Sequence, residues 1–512
     1  MKRILSLLLA LTLALALAIP ASADDQGIGV IGGADSPTFI ITAESTKATA
    51  QQREQAIRSL GGTPGQTNVL FDGRCIAFTD AAPEAKDGRT MVPLRAALEA
   101  MGATVDYEQA TKTVTVTGEK ASFTHIIGSD VITLSDGTEV KMDVASYATA
   151  SNRTMIPVRF FSQVLGYDVY WDNDYKLVFL LDEDAFTHGV DSQFAVLNDY
   201  LTRCIKNYDF ARNHKEEMKL SGTVKVIDSI NGDRSHKCSG NVAVLLGKDG
   251  MSMDLTADLG ELVGLFESVS GSTLPVEYRE PLTKLDFSLR LGGDKVYFKS
   301  ALLDVLMASE GGAQGAWYAA DLGMDYADYY TSVFENADQY TVGHILYSVM
   351  QQGDANHFFD SWNGVSELSS MLASLMGDGT FTKSGAGYRW HFGVSELAKF
   401  ISELTGESFT EQDAKDAGVE ELSADMRING TSVEASYKAA LNVNEEAALR
   451  VEYTLTGDQN RMSAKGSVQV RNVCDVTFQA DVTVRATNER VSTAPPTGAA
   501  VVDLSAAGQS AA

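Results

Sequence analysis

No feature of this chain constrains its fold more than a repeat that aligns without a gap. Gly88-Arg89-Thr90-Met91-Val92-Pro93-Leu94-Arg95 returns as Asn152-Arg153-Thr154-Met155-Ile156-Pro157-Val158-Arg159, and the same offset carries Gly102 onto Gly166, Val105 onto Val169, Tyr107 onto Trp171 and Lys112 onto Lys176. Each copy reads as a hairpin, a short helix and a second hairpin. Pro93 and Pro157 suit a first helical position, where φ is already set and a missing N–H costs nothing. Gly102 and Gly166 stand where a left-handed residue closes a helix. Between them, Leu94, Leu98 and Met101 in one copy, and Phe160, Phe161, Val164 and Leu165 in the other, give each helix one apolar face. The residues that follow alternate apolar with polar, as half-buried strands do: Val105, Tyr107, Val114 and Val116, then Val169, Trp171, Leu177 and Phe179. One short helix on one small sheet buries too little surface to stand alone, so the two copies are expected to share a core.

The Arg-Thr-Met-Val-Pro-Leu-Arg run at 89–95 and the Gly-Ala-Thr-Val-Asp-Tyr run at 102–107 resemble the copper amine oxidase N-terminal-like domain, also called the stalk domain. The second copy matches nearly as well, and the resemblance covers Val69 to Leu181. It implies a secreted accessory module, common in envelope proteins of Gram-positive bacteria. It does not imply oxidase activity, because the module carries neither copper nor the quinone. The residues carrying the resemblance are Arg89, Pro93, Arg95, Gly102 and Tyr107, with Arg153, Pro157, Arg159, Gly166 and Trp171. Their expected role is structural.

The N-terminus indicates a compartment. Met1-Lys2-Arg3, an apolar run from Ile4 to Ile19 and Pro20-Ala21-Ser22-Ala23 read as a signal peptide over 1–23. No Cys follows that run, which disfavours a lipid-modified N-terminus. Residues 24–67 read as leader and linker with a short helix. Within them Gly27-Ile28-Gly29-Val30-Ile31-Gly32 spells G-x-G-x-x-G, but no strand precedes it and Ser36-Pro37 opens no helix, so no dinucleotide site is expected. The adjoining stretch to Thr38 resembles a segment of sodium-pumping decarboxylase β subunits, with nothing membrane-embedded beside it, and the role of 27–38 stays open. Lys+Arg 41 against Asp+Glu 68 leaves a net charge of −27, which repels phosphate backbones. No nucleic-acid partner is expected, and no membrane span after signal cleavage.

The repeat module is assigned to 68–183, and a second domain to 191–487. There the pattern changes to long alternating strands: Met218, Leu220, Val224 and Val226; Leu285, Phe287, Leu289 and Leu291; Leu449, Val451, Tyr453 and Leu455; Cys474 to Val484 at every second position. One buried and one wet face is the pattern of an antiparallel sheet. Two helices are marked by Gly364-Val365-Ser366-Glu367-Leu368 and Gly393-Val394-Ser395-Glu396-Leu397, with Ser366 and Ser395 as N-caps and one apolar stripe each, both packed on the sheet. This order of strands and helices is similar to the half-barrels of envelope lipoprotein carriers. Residues 488–512 read as a flexible tail. The fold class is therefore α+β: tandem small hairpin-and-helix modules, then a large, mostly antiparallel sheet domain with packed helices.

Catalytic constellations are mostly absent from the sequence. The seven histidines are scattered, with no His-x-His and no H-E-x-x-H, so no metal or cofactor is expected. Asn207-Tyr208-Asp209 echoes the tripeptide around the quinone-forming tyrosine of copper amine oxidases, but Cys204 replaces the expected Thr. Asp172-Asn173-Asp174 and Asp182-Glu183-Asp184 lack the glycine and distal glutamate of a calcium loop and read as turns. Cys75, Cys204, Cys238 and Cys474 allow two disulfides or four free thiols, the latter favoured in a chain with so much core. The expectation is a secreted, non-catalytic envelope protein used for binding or spacing at the cell surface, with a cell-wall or surface-protein partner. The alternatives are a carrier of a lipid or other apolar ligand on the C-terminal sheet, and a cell-wall hydrolase working through converged carboxylates.

Overall fold

Strand Arg89–Pro93 lies antiparallel to strand Thr154–Pro157, so that Met91 faces Pro157, Val92 faces Ile156 and Pro93 faces Met155. The chain is seen here in a computed structural model that describes residues 48–504 except 87, 229, 231, 309–311, 335–340, 355–356 and 443–447. The expected signal peptide and the Gly-rich leader fall outside the described residues. Two units are present, one built from 48–193 with 341–372, the other from 194–340 with 373–504.

In the first unit each repeat copy folds as hairpin, helix, hairpin. The first copy comprises strands Glu84–Lys86 and Arg89–Pro93, helix Leu94–Ala100, then strands Thr104–Glu108 and Thr113–Thr117. The second comprises Tyr147–Ala148 and Thr154–Pro157, helix Phe160–Leu165, then Asp168–Asp172 and Leu177–Leu181. Four pairs of residues at the repeat's offset hold the left-handed conformation: Gly73 and Gly137 (φ 72° and 87°), Gly88 and Asn152 (71° and 58°), Gly102 and Gly166 (80° and 72°), Lys112 and Lys176 (55° and 49°). Pro93 and Pro157 do not open the helices; each ends its strand, and the helices run from Leu94 and Phe160. The φ of Pro93, −64°, serves strand end and helix start equally, and its ψ of 111° decides for the strand. Val92, Leu98, Val105 and Val116 join Ile156, Phe160, Phe161 and Val178 in one shared core.

Strand Leu177–Leu181 departs from alternation because all five residues are buried. Val178 and Leu180 face the shared core, while Phe179 meets Phe358 and Trp362 on the other side. Phe358 also stacks on Tyr170 at 3.8 Å, and Phe359 on Tyr175 at 4.0 Å. The first Gly-Val-Ser-Glu-Leu helix, expected on the large sheet, thus belongs over residues 358–372 to the repeat unit. It begins at Phe358, so Ser366 is internal and donates its hydroxyl to the Trp362 carbonyl at 2.7 Å instead of capping. The aromatic run upstream of the motif, not the motif, decides which surface the helix covers. The short helix expected in the linker runs Ala50–Ser59, capped by Thr49.

Among the described residues the second unit carries a fourteen-stranded sheet. Two meanders, 213–321 and 381–487, meet where strand Asn213–Val226 pairs along its whole length with strand Cys474–Thr487. Every pairing is antiparallel except the last, where Val501–Asp503 runs parallel to Trp317–Asp321. The stretch beyond Thr487, expected as a flexible tail, therefore supplies a strand. Its approach is close: a Cβ on Gly292 would stand 2.5 Å from Thr493 Cβ, so glycine there lets the segment cross. Helix Val394–Thr405 packs against Gly387–Gly393 and Val419–Asn429. Gly393, not Ser395, is its N-cap, with the Glu396 carboxylate accepting the Gly393 N–H at 2.8 Å.

Candidate functional site

Because Val92 faces its own counterpart, the two motif copies are related by a local twofold axis, and the first arginine of each copy makes an equivalent contact. Arg89 donates Nε to Asp143 Oδ2 at 2.5 Å, and Asp143 lies on the segment leading into the second copy. Arg153 donates Nε and Nη2 to Asp80 Oδ2 at 3.1 and 2.8 Å, and Asp80 lies on the segment leading into the first. The second pair of arginines breaks the symmetry. Arg159 also reaches Asp143 Oδ2, at 3.4 Å, whereas Arg95 donates to the Val105 carbonyl at 2.6 Å and to Glu99 at 3.3 Å.

Two guanidiniums on one carboxylate mark one end of a cleft of about 510 Å³. Its lining brings together Arg89, Pro157, Arg159 and Trp171 from the repeat motif, with Asp168 and Tyr170. The other motif residues, Pro93, Arg95, Gly102, Tyr107, Arg153 and Gly166, do not line it. Trp171 is held by its indole N–H on Asn173 Oδ1 at 2.7 Å, and Asp168 accepts from Tyr347 Oη at 2.6 Å and Gln351 Nε2 at 3.0 Å. Tyr107, the counterpart of Trp171, is 47% exposed. Asp143 was not marked by sequence, since it lies outside the repeated words and its partners are 54 and 16 residues away.

A second surface lies on the large sheet. In register across six neighbouring strands stand Met462, Val482, Met218, Val242, Leu255 and Phe287, all on one face. The face continues through Tyr437 and Ala424 to Phe392. Beside helices Val394–Thr405 and Glu411–Asp416 these apolar residues are fully buried, Trp390 and Phe392 among them. Across the central strands Met462, Met218, Val242, Leu255 and Phe287 are only half-buried, though Val482 between them is buried, and Leu220 and Phe478 are 38% and 40% exposed. The same strands border a cleft of about 620 Å³ whose lining includes Gly222, Gly466 and Phe478 with Lys237 and Lys465.

The remaining candidates have packing roles. Tyr208 stacks on His214 at 3.8 Å and lies near Phe210, and burial raises its hydroxyl pKa. Asp172, buried, accepts the backbone N–H groups of Asp174 and Tyr175 at 3.0 Å each and of Phe359 at 2.9 Å, as a turn and helix-start ligand. His125 Nδ1 donates to the Val131 carbonyl at 2.9 Å, which leaves Nε2 to accept the Ser146 hydroxyl at 2.6 Å. All four cysteines are free. Burial pushes the Cys75 thiol up to about 11. Among the described residues no group of three His, Cys, Asp or Glu side chains is arranged to hold a metal, and no helix is long and apolar enough to cross a membrane.

Residues 70–180 match the family model of the copper amine oxidase N-terminal domain. That domain is the non-catalytic part of the copper amine oxidases, and the match takes in both repeat copies and every residue lining the 510 Å³ cleft. The copper amine oxidase N-terminal domain match stops before the large sheet begins. No curated protein matches the chain.

Proposed function

We propose that this is a non-catalytic binding protein exported to the cell envelope, with the repeat module as its stalk-like part and the large sheet as the surface that takes an apolar, acyl-chain-bearing ligand. One observation carries the reading: the row from Met462 to Phe287 is apolar on six adjacent strands yet, Val482 apart, stays half-buried, while the same face is sealed near Trp390 and Phe392. Leaving so many apolar side chains partly wet is unfavourable, at roughly 25 cal/mol per Å² of apolar surface, unless something covers them in use. The signal peptide and the resemblance of the strand pattern to lipoprotein carriers support the same reading. The protein purified without detergent is expected to carry lipid, seen as added mass in native mass spectrometry and recovered by solvent extraction. A clean mass, with no uptake of a fluorescent fatty acid, would overturn the carrier and leave spacing at the surface.

A further inference from the structure

We propose that the cleft on one side of the repeat's twofold axis is a saccharide site, distinct from the apolar sheet face. The argument begins with what the symmetry predicts and where it fails. Arg153, the counterpart of Arg89, is held by two bonds to Asp80, and Arg95, the counterpart of Arg159, is turned to the Val105 carbonyl. On the other side of the axis both equivalents converge on Asp143 beside a cleft with an indole in its wall. An internal repeat conserves packing by default, so a departure confined to one side needs a different cause.

The chemistry of that side narrows the ligand. Arg89 and Arg159 bring two positive charges, offset by Asp168 in the lining and by Asp143, which is outside the lining but paired with both guanidiniums, so little net charge is left with which to select an ion. What it offers instead is planar polar groups, each fixed by a second bond: Arg89 and Arg159 through Asp143, and Asp168 through Tyr347 and Gln351. Fixed guanidinium and carboxylate forks bond neighbouring hydroxyls with little entropy to lose. The indole of Trp171 supplies an apolar face with its N–H already committed to Asn173, which suits the C–H side of a pyranose ring. A cleft of about 510 Å³ accommodates two or three sugar units by volume.

The test uses the full mature chain and a set of β-linked oligosaccharides of two to six units, with and without N-acetyl groups, read by calorimetry and by tryptophan fluorescence. Binding is expected to at least one of them. Arg159→Gln and Trp171→Phe should each weaken it by about tenfold or more, with thermal unfolding unchanged for Arg159→Gln. Arg153→Gln, across the axis, should leave it intact. Failure of every oligosaccharide to bind overturns the proposal, as does binding that Arg159→Gln and Trp171→Phe do not alter. Binding of inorganic phosphate or an acidic peptide in the cleft, competing with the sugars or replacing them, also overturns it.

Discussion

Val92 stands opposite Ile156, the residue that repeats it, at the centre of the antiparallel pairing between the two motif strands. Both side chains are fully buried, and the core of the module is built outward from them. Replacing Ile156 with Ala is expected to cost about 2–4 kcal/mol, and Val92→Ala somewhat less. Because they touch, the double variant should lose less or more than the sum. Denaturant unfolding of each variant checks this, and an additive result would mean the two sites do not share a core.

Asp172 binds three backbone N–H groups while buried, including that of Phe359, far along the chain. Asp172→Ala leaves those donors without a partner, at a cost of about 2–3 kcal/mol. Amide exchange at Phe359 and its neighbours should accelerate most. Unchanged exchange there would show that the ring stack of Tyr170 on Phe358 suffices to hold the helix.

Gly166 holds φ 72°, a conformation that costs an L side chain about 1–2 kcal/mol. Gly166→Ala should destabilise the module by that amount. Lys112, at φ 55°, stands in the same region with the strain already present. Lys112→Gly is expected to be neutral or slightly stabilising, and thermal melts of the two variants should move in opposite directions or only one should move.

Burial lowers the pKa of His125, with the Val131 hydrogen bond opposing. The unfolded chain then binds a proton at a higher pH than the folded one, so stability is complete above the ordinary histidine pKa of about 6.5 and falls as pH drops below it. Urea midpoints measured from pH 7.5 to 5 should decline. His214 is lowered by burial too and belongs to the other unit. His125→Gln should flatten the decline in the repeat unit alone.

Thiol chemistry provides a separate check. With Cys75 raised to about 11 and Cys204 raised as well by burial, both should react slowly with an alkylating reagent at neutral pH in the native protein. All four should label at once in denaturant without reductant. A thiol missing from the denatured count would reveal a disulfide.

Periodicity made much of this fold readable. Leu94 and Leu98, or Val476 to Val484, announce their element because burial on one face imposes a spacing that a single chain displays. What periodicity does not carry is the identity of the covering surface. The stripe from Val365 to Leu375 fits a helix equally well on either unit, and the choice rests on Phe358, Phe359 and Trp362 meeting Tyr170, Tyr175 and Phe179. Pro93 stands one residue before its helix, and its φ, which satisfies strand and helix alike, does not mark the difference in sequence. The cleft was half visible: Arg89, Arg159 and Trp171 lie in repeated words, but Asp143 and the failure of symmetry on one side exist only in three dimensions. Val501–Asp503 escaped because three residues are too few to show a pattern.

Strand Asn68–Phe71 runs parallel to Leu177–Leu181, so the first and last strands of the repeat module are hydrogen-bonded neighbours pointing the same way. Tension applied to the chain before Asn68 and after Leu181 would slide these two strands lengthwise past each other. Their hydrogen bonds would then bear the load together, in shear, and could not peel from one end. Resistance to pulling is a matter of the unfolding rate more than of equilibrium stability, and this arrangement makes the module a clamp suited to a protein under mechanical strain.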